Sequence, residues 1–180
     1  MSIFSNPAQR STEHATAYTA AVLDLLGPAD PLRVLHDTPS ALTRSIEELE
    51  ATQLSQPEAP GKWSITEVLQ HLADSELVWG YRLRMVLAHD RPAITGYDQD
   101  LWATRLHYAD ADPQQAIHDF NVLRQGNLRL LARASDRDLT RVGVHAERGE
   151  ESVAHLIRLY AGHDILHLKQ IARIRLAVAG

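Results

Sequence analysis

Apolar residues recur with helical spacing along most of the chain. The clearest run lies near the C-terminus: Val153, Leu156, Tyr160, His163, His167, Ile171, Ile174 and Val178, in steps of three and four. That is the spacing of one buried helical seam. It predicts a helix over 152–178 with Ser152 as its cap. A second stripe, Ile65, Val68, Leu72, Trp79, Leu83 and Val86, predicts a helix over 64–89. Ser64 and Glu67 fit a capping box at its start, each side chain satisfying the other's backbone N–H. A third stripe, Ile117, Phe120, Leu123, Leu128 and Leu131, predicts a helix over 113–133 opened by Asp112-Pro113. Leu42, Ile46 and Leu49 mark a shorter helix, 38–52, with Thr38 as cap and Pro39 as first helical residue. Residues 11–26, with Tyr18, Val22, Leu25 and Leu26, predict an N-terminal helix that Ser11 caps and Gly27-Pro28 stops.

No segment alternates apolar and polar residues for long enough to predict a sheet. Residues 29–37 read as a turn region and 53–63 as a polar connection. Residues 90–112 form a longer connection with a short helix at 98–106, and 135–151 form another. Connections of that length often cover a site. The expected fold is all-α: an antiparallel up-down four-helix bundle with an additional N-terminal helix, in a single domain over residues 1–180.

Composition narrows the function classes. The 180 residues suffice for one domain with a real core. No apolar run reaches the ~18 residues of a membrane span. The N-terminus has no basic region followed by an apolar stretch, so no secretory signal is read and a cytoplasmic protein is expected. With no cysteine, disulfides, zinc–thiolate sites and a Cys nucleophile are excluded. A net charge of −5 without a long basic block argues against nucleic-acid binding.

The candidate chemistry lies inside the C-terminal seam. Its middle positions are His163 and His167, one turn apart, where a core stripe normally holds Leu or Ile. Buried imidazoles either find hydrogen-bond partners or bind something. The pattern H-x-x-x-H projects both rings to one side of a helix, where two nitrogens can meet one metal ion. The spacing alone leaves both readings open: metal ligands, or core histidines satisfied by side chains or water. In a bundle the start of one helix can face the middle of another. His71, at the edge of the second stripe, then supplies a third nitrogen. Three His with room for another ligand form an open site, suited to activating a bound water or thiol.

Several motifs carry a family resemblance. They are Gly61-x-Trp63-Ser64-x-x-Glu67-Val68-Leu69-x-His71-Leu72-Ala73-Asp74-Ser75-Glu76, Tyr81-Arg82-x-Arg84, Pro92, Tyr97-Asp98-Gln99-x-x-Trp102-Ala103, His145-x-Glu147-x-Gly149 and Tyr160-x-x-His163-x-x-x-His167. In these the chain resembles the DinB-like superfamily, especially its YfiT-like branch of metal-dependent hydrolases, over about residues 38–175. The resemblance implies a four-helix bundle, a homodimer, and a divalent metal held by one His of the second helix and an H-x-x-x-H pair on the last. Carried over by motif, the ligands are His71, His163 and His167. The chain departs from the branch where Trp often precedes the first His of the pair, because Gly162 stands there. Leu166 precedes His167, Gln170 follows it, and the usual His-Pro-Glu reads His145-Ala146-Glu147. These changes alter the pocket wall and one turn without removing a ligand.

Other residues have two readings each. Asp74 orients a ligand imidazole or is a solvated helix charge. Tyr160 hydrogen-bonds in the pocket or packs in the core. Trp102 and Tyr97 roof the site or simply pack. His145 is a fourth ligand or steadies a turn. Arg82 and Arg84 recognise an anionic substrate group or are solvated. His14, His36, His89, His107, His118 and His155 are expected at or near the surface. No general base is read from the sequence.

The first functional expectation is an enzyme acting on a small molecule, with zinc or nickel as the ion. It activates a low-molecular-weight thiol for S-transfer to an electrophile, or water for hydrolysis. The superfamily is known for thiol transferases, and that chemistry is the favoured one. It suits a chain without cysteine because it needs no protein nucleophile. The alternative is a non-catalytic metal- or ligand-binding stress-response protein.

Overall fold

A computed structural model describes residues 12–179. Ser11, the expected first cap, and the side chain of His14 lie outside what it describes. The elements are α1 (Thr12–Leu26), α2 (Pro31–Ile46), α3 (Ala51–Ser55), α4 (Ile65–Ala88), β1 (Ala93–Ile94), α5 (Gln99–Arg105), a 3-10 turn (Tyr108–Asp110), α6 (Pro113–Leu131), α7 (Asp136–Leu139), β2 (Val142–His145), β3 (Gly149–Ser152) and α8 (Val153–Val178).

Local signals set the ends of the three long helices as expected. The Ser64 N–H donates to Glu67 Oε2 at 2.7 Å and the Glu67 N–H to Ser64 Oγ at 3.3 Å. Asp112 Oδ1 accepts from the Gln114 and Gln115 backbone N–H groups ahead of α6. Ser152 Oγ accepts from the His155 N–H at the start of α8. Asp98 Oδ1 does the same for α5, accepting from the Asp100 and Leu101 N–H groups.

Helix α2 corrects the expected turn at 29–37 and the expected start at Thr38. The cap is Asp30, which accepts from the Leu32 N–H, with Pro31 as the first helical residue. Pro39 lies inside the helix. It has no N–H for the carbonyl of Leu35, four residues back. The buried Arg124 of α6 supplies that bond instead, Nη1 to Leu35 O at 2.8 Å. Thr38 donates its hydroxyl to Val34 O, a bond within the helix and not a cap. The helix ends at Ile46, before the expected residue 52. Glu48 then takes a left-handed φ of 66°, and α3 follows.

Helices α2, α4, α6 and α8 form the bundle. Its packed neighbours are α4 with α6, α6 with α2, α2 with α8 and α8 with α4, while α1 lies on α8. One apolar layer joins Leu42 and Ile46 of α2, Ile65 to Leu72 of α4, Phe120 of α6 and Ile171 and Ile174 of α8. The other joins Leu35, Trp79, Leu83, Leu131 and Leu156. The starts of α4 and α6 therefore share one end with the finishes of α2 and α8. The expected bundle is present, but its helices run up-down-down-up instead of strictly alternating. The cause is the connection 89–112, which returns along the bundle and places Tyr108 against α4.

A small sheet also forms, where none was expected, in the order β1-β2-β3. β1 is parallel to β2, and β2 is antiparallel to β3. Its strands are short, and the buried positions of β2 are Gly143 and His145 while Val144 is exposed. The apolar alternation that signals a half-buried strand is thus reversed.

Candidate metal centre

Helix α8 buries the predicted seam, and α4 runs antiparallel beside it. This pairing brings His71, His163 and His167 together. His163 Nε2 lies 3.3 Å from His71 Nε2 and 3.2 Å from His167 Nε2. One ligand nitrogen from each ring falls within 4.8 Å of the others. His71 and His167 are buried and His163 is partly so. The Trp63 ring, just ahead of α4, lies 5.0 Å from that of His71.

Burial, the main cause, holds all three rings neutral. It pushes His71 and His163 well below the ordinary imidazole value, and neighbouring imidazoles push the same way. His167 is lowered to about 4, against a smaller opposing effect of its bond to Gln170. Gln170 Oε1 sits 2.8 Å from His167 Nδ1. An amide oxygen only accepts, so it keeps the proton on Nδ1 and leaves Nε2 as a bare lone pair. Three neutral nitrogens converging in a buried site repel one another unless a proton or a cation lies between them. The donor set therefore fits a divalent ion with further positions open.

The other predicted residues distribute as follows. Tyr97 OH lies 2.7 Å from Ser75 Oγ, and Ser75 Oγ lies 3.3 Å from His71 Nε2. The Tyr160 hydroxyl accepts from Arg82 Nη1 at 3.1 Å, and its ring stacks on Trp79 and lies 5.9 Å from that of His163. Trp102 packs on Tyr97 at 4.5 Å and lines a neighbouring apolar groove. Asp74 accepts from the Tyr108 hydroxyl and from Gln70 Nε2, so it ties the connection 89–112 to α4. His145 stands outside the three-histidine cluster, on the wall of a pocket that reaches His163. Arg84 donates to Gly80 O and Asn127 Oδ1, on another face of α4. His36, His89, His107 and His118 are exposed and His155 is partly so.

Sequence reading quoted Ser75 without a role of its own and took Gln170 only as a change in the pocket wall. Both sit one turn from a ligand, Ser75 at four residues and Gln170 at three, and that spacing was the available signal. It also missed Tyr18 of α1, which lines the pocket with Arg148 and Leu159.

The buried histidines predict how the metal-free protein responds to acid. His71, His163, His167 and His145 titrate lower in the folded chain than in the unfolded one, and His145 is lowered to about 4, chiefly by burial. As pH falls below about 6.5 the unfolded chain takes up protons that the folded chain refuses. Their contribution is complete above that pH and is lost as pH falls toward the folded values. Urea denaturation of metal-free protein at pH 7.5, about 6 and about 5 is expected to show a falling midpoint. An unchanged midpoint would contradict the buried neutral rings.

The chain is similar to known proteins over most of its length. "Putative metal-dependent hydrolase YfiT" of Bacillus subtilis is 27% identical over 146 residues, covering 79% of this chain and 82% of that protein. "Putative metal-dependent hydrolase BCB4264_A2719" of Bacillus cereus is 28% identical over 144 residues, covering 80% and 83%. A solved structure of Bacillus subtilis YfiT superposes with a TM-score of 0.73 at 26% identity, covering 79% of this chain and 84% of that one. It is described as "a probable metal-dependent hydrolase with an unusual four-helix bundle topology". No helix among the described residues is long and apolar enough to cross a membrane. The profile of the DinB superfamily matches residues 35–171, which include all three converging histidines, and this chain belongs to that superfamily.

Proposed function

We propose that the chain is a metal-dependent hydrolase acting on a small molecule, with His71, His163 and His167 as the ligands of one divalent ion. The convergence of three neutral Nε2 atoms, two on buried rings and one on a partly buried ring, carries the reading. A divalent ion there supplies Lewis acidity that lowers the pKa of a bound water or thiol toward neutrality. The chain's own residues prepare the place. Gln170 fixes the tautomer of His167. Trp63 shields one side of His71. Ser75 and Tyr97 put hydroxyls beside the histidines. The adjoining pocket reaches His163, so a substrate held there lies next to the centre. Hydrolysis stands first because the relatives are named for it. S-transfer from a low-molecular-weight thiol needs the same centre and no protein nucleophile. Imidazole donors suit zinc and nickel, the two ions expected here.

Elemental mass spectrometry of tag-free protein, with His163→Ala as control, is the test. About one zinc or nickel per chain, lost in the variant, supports the centre. Absence of metal, with none taken up on adding zinc or nickel, defeats it. Metal-loaded protein is then assayed on esters and amides without thiol, and on electrophiles with thiols. Product release without thiol supports hydrolysis, and conjugates formed only with thiol move the reading to S-transfer. Metal without turnover on either panel leaves a non-catalytic metal-binding protein.

A further inference from the structure

One buried charge beside the centre has no counter-charge among the described residues. Arg82 is 7% exposed. Its Nη1 donates to the Tyr160 hydroxyl at 3.1 Å and its Nη2 to the carbonyl of Thr95 at 2.7 Å. Both acceptors are neutral. Its Nε–H is buried without a partner. Among the described residues no carboxylate pairs with it, whereas Arg148 on the same pocket is held by both oxygens of Glu151. A desolvated guanidinium without an anion is costly, and a ligand that brings the anion removes that cost.

A second donor lies on the same wall. His145 is 2% exposed, and its Nδ1 accepts from the Glu147 N–H at 3.2 Å. That bond puts the ring proton on Nε2, which is buried and unpartnered. The ring lies against Gly96, another pocket residue. The Tyr160 hydroxyl accepts from Arg82 and keeps its own proton to give. Arg82, His145 and Tyr160 all border the pocket that reaches His163.

We infer that this pocket binds a carboxylate of the substrate through Arg82, His145 and Tyr160, so that the substrate is a small organic monoanion. Glu147, half-buried on the same pocket and without an ion-pair partner among the described residues, disfavours a second negative charge. A carboxylate therefore fits better than a phosphate dianion. The pairing matches the planar fork of arginine to the planar carboxylate. Only the direction in which the ligand's reacting group points rests on the metal-centre reading; the anion site itself does not.

Benzoate and its neutral analogue benzamide are suitable probes, titrated calorimetrically into zinc-loaded and metal-free protein. Benzoate is expected to bind both forms one to one, and benzamide at least about tenfold more weakly, the difference a charge-assisted bond makes. Arg82→Met is expected to weaken benzoate about tenfold or more in both forms while zinc content stays unchanged. Arg82→Gln is the second variant should the first fail to fold, with helical circular dichroism as the check. Benzoate binding confined to the zinc-loaded form and indifferent to Arg82 would place the anion on the ion and overturn the inference. Equal binding of benzamide, or no binding of benzoate to folded wild type, would overturn it too. A protein that takes up no metal fails the metal-centre reading alone, because the metal-free titration still decides the anion site.

Discussion

Arg124→Leu is expected to destabilise the protein by about 3–5 kcal/mol, the cost of leaving partners of a buried ion pair uncompensated. Arg124 is fully buried between the two apolar layers, its guanidinium over the Phe120 ring at 4.6 Å. Nη1 donates to Asp164 Oδ2 at 2.6 Å and to Leu35 O at 2.8 Å. Nη2 donates to Glu76 Oε2 at 2.8 Å and to Asp164 Oδ1 at 3.0 Å. Leucine removes the cation that bridges two carboxylates, each 1% exposed. It also removes the side-chain donor that serves the carbonyl Pro39 leaves free. Typical domains hold about 5–15 kcal/mol in all, so the loss is a large fraction.

Two further results separate these causes. Burial already raises Glu76 in the wild type, and without the guanidinium that opposes this its carboxylate is raised further. The folded variant then binds protons more tightly than the unfolded chain, so its deficit against wild type is expected to shrink as pH falls from 8 to about 5. His71 and His167 contribute alike to both proteins, while losing Arg124 also removes a charge that lowers His163, which narrows the deficit in the same direction. Pro39→Ala restores an N–H for Leu35 O. It is expected to recover about 1 kcal/mol or more in the Arg124→Leu background, from which the competing donor has gone. Urea denaturation of the four proteins of this cycle measures the coupling. A deficit under about 1 kcal/mol for Arg124→Leu would show that the layer relaxes without cost.

The same contact shows where sequence reading stopped. Helices α4, α6 and α8 were legible because their caps are local: Ser64 with Glu67, Asp112 with Pro113, and Ser152. Helix α2 was not, because Thr38-Pro39 and Asp30-Pro31 carry the same local signal. Only a guanidinium from a distant helix shows which proline is internal. The helix directions were hidden for a similar reason, since the path of 89–112 is set by Tyr108 docking on α4. At the site, His163 and His167 stood out as polar residues in an apolar stripe, and His71 was reached from its place near the start of the second stripe and through the family resemblance. Ser75 and Gln170 are ordinary helix residues in one dimension, and Arg82 reads equally as an anion contact or a solvated charge. Their significance lies in what is missing around Arg82 and in which nitrogen Gln170 addresses. The pocket draws on α1, α4, α8, the connection 89–112 and the β2–β3 hairpin, an assembly that no window of sequence contains.

Gly162→Leu is expected to detach α1 from the bundle and to dismantle one wall of the pocket. A Cβ at Gly162 would stand 2.2 Å from the carbonyl oxygen of Val22 and 2.9 Å from its carbonyl carbon. These are backbone atoms of α1, so no rotamer change relieves the clash. Glycine inside a helix costs roughly 1 kcal/mol relative to alanine, and here it permits the close crossing of α1 over α8. Gly162→Ala gains that propensity and still loses overall, because overpacking against a backbone costs about 1–3 kcal/mol. Leucine leaves α1 no room, exposing Ala15, Val22 and Leu26 and withdrawing Tyr18 from the pocket. Helix α1 lies outside the segment that matches the DinB superfamily, so its departure leaves the four bundle helices their mutual packing. Amide exchange across 12–26 is expected to accelerate about a hundredfold, as a loss near 3 kcal/mol in local stability requires. Exchange in α4 and α8 and the content of any bound metal should change little. Unaltered exchange in α1 would mean that the helix adjusts its crossing. Tyr18 would then hold its place without the glycine. If α1 detaches and benzoate weakens together, the pocket depends on a helix that the family segment does not include, and Gly162, beside the first histidine of the pair, is the residue that admits it.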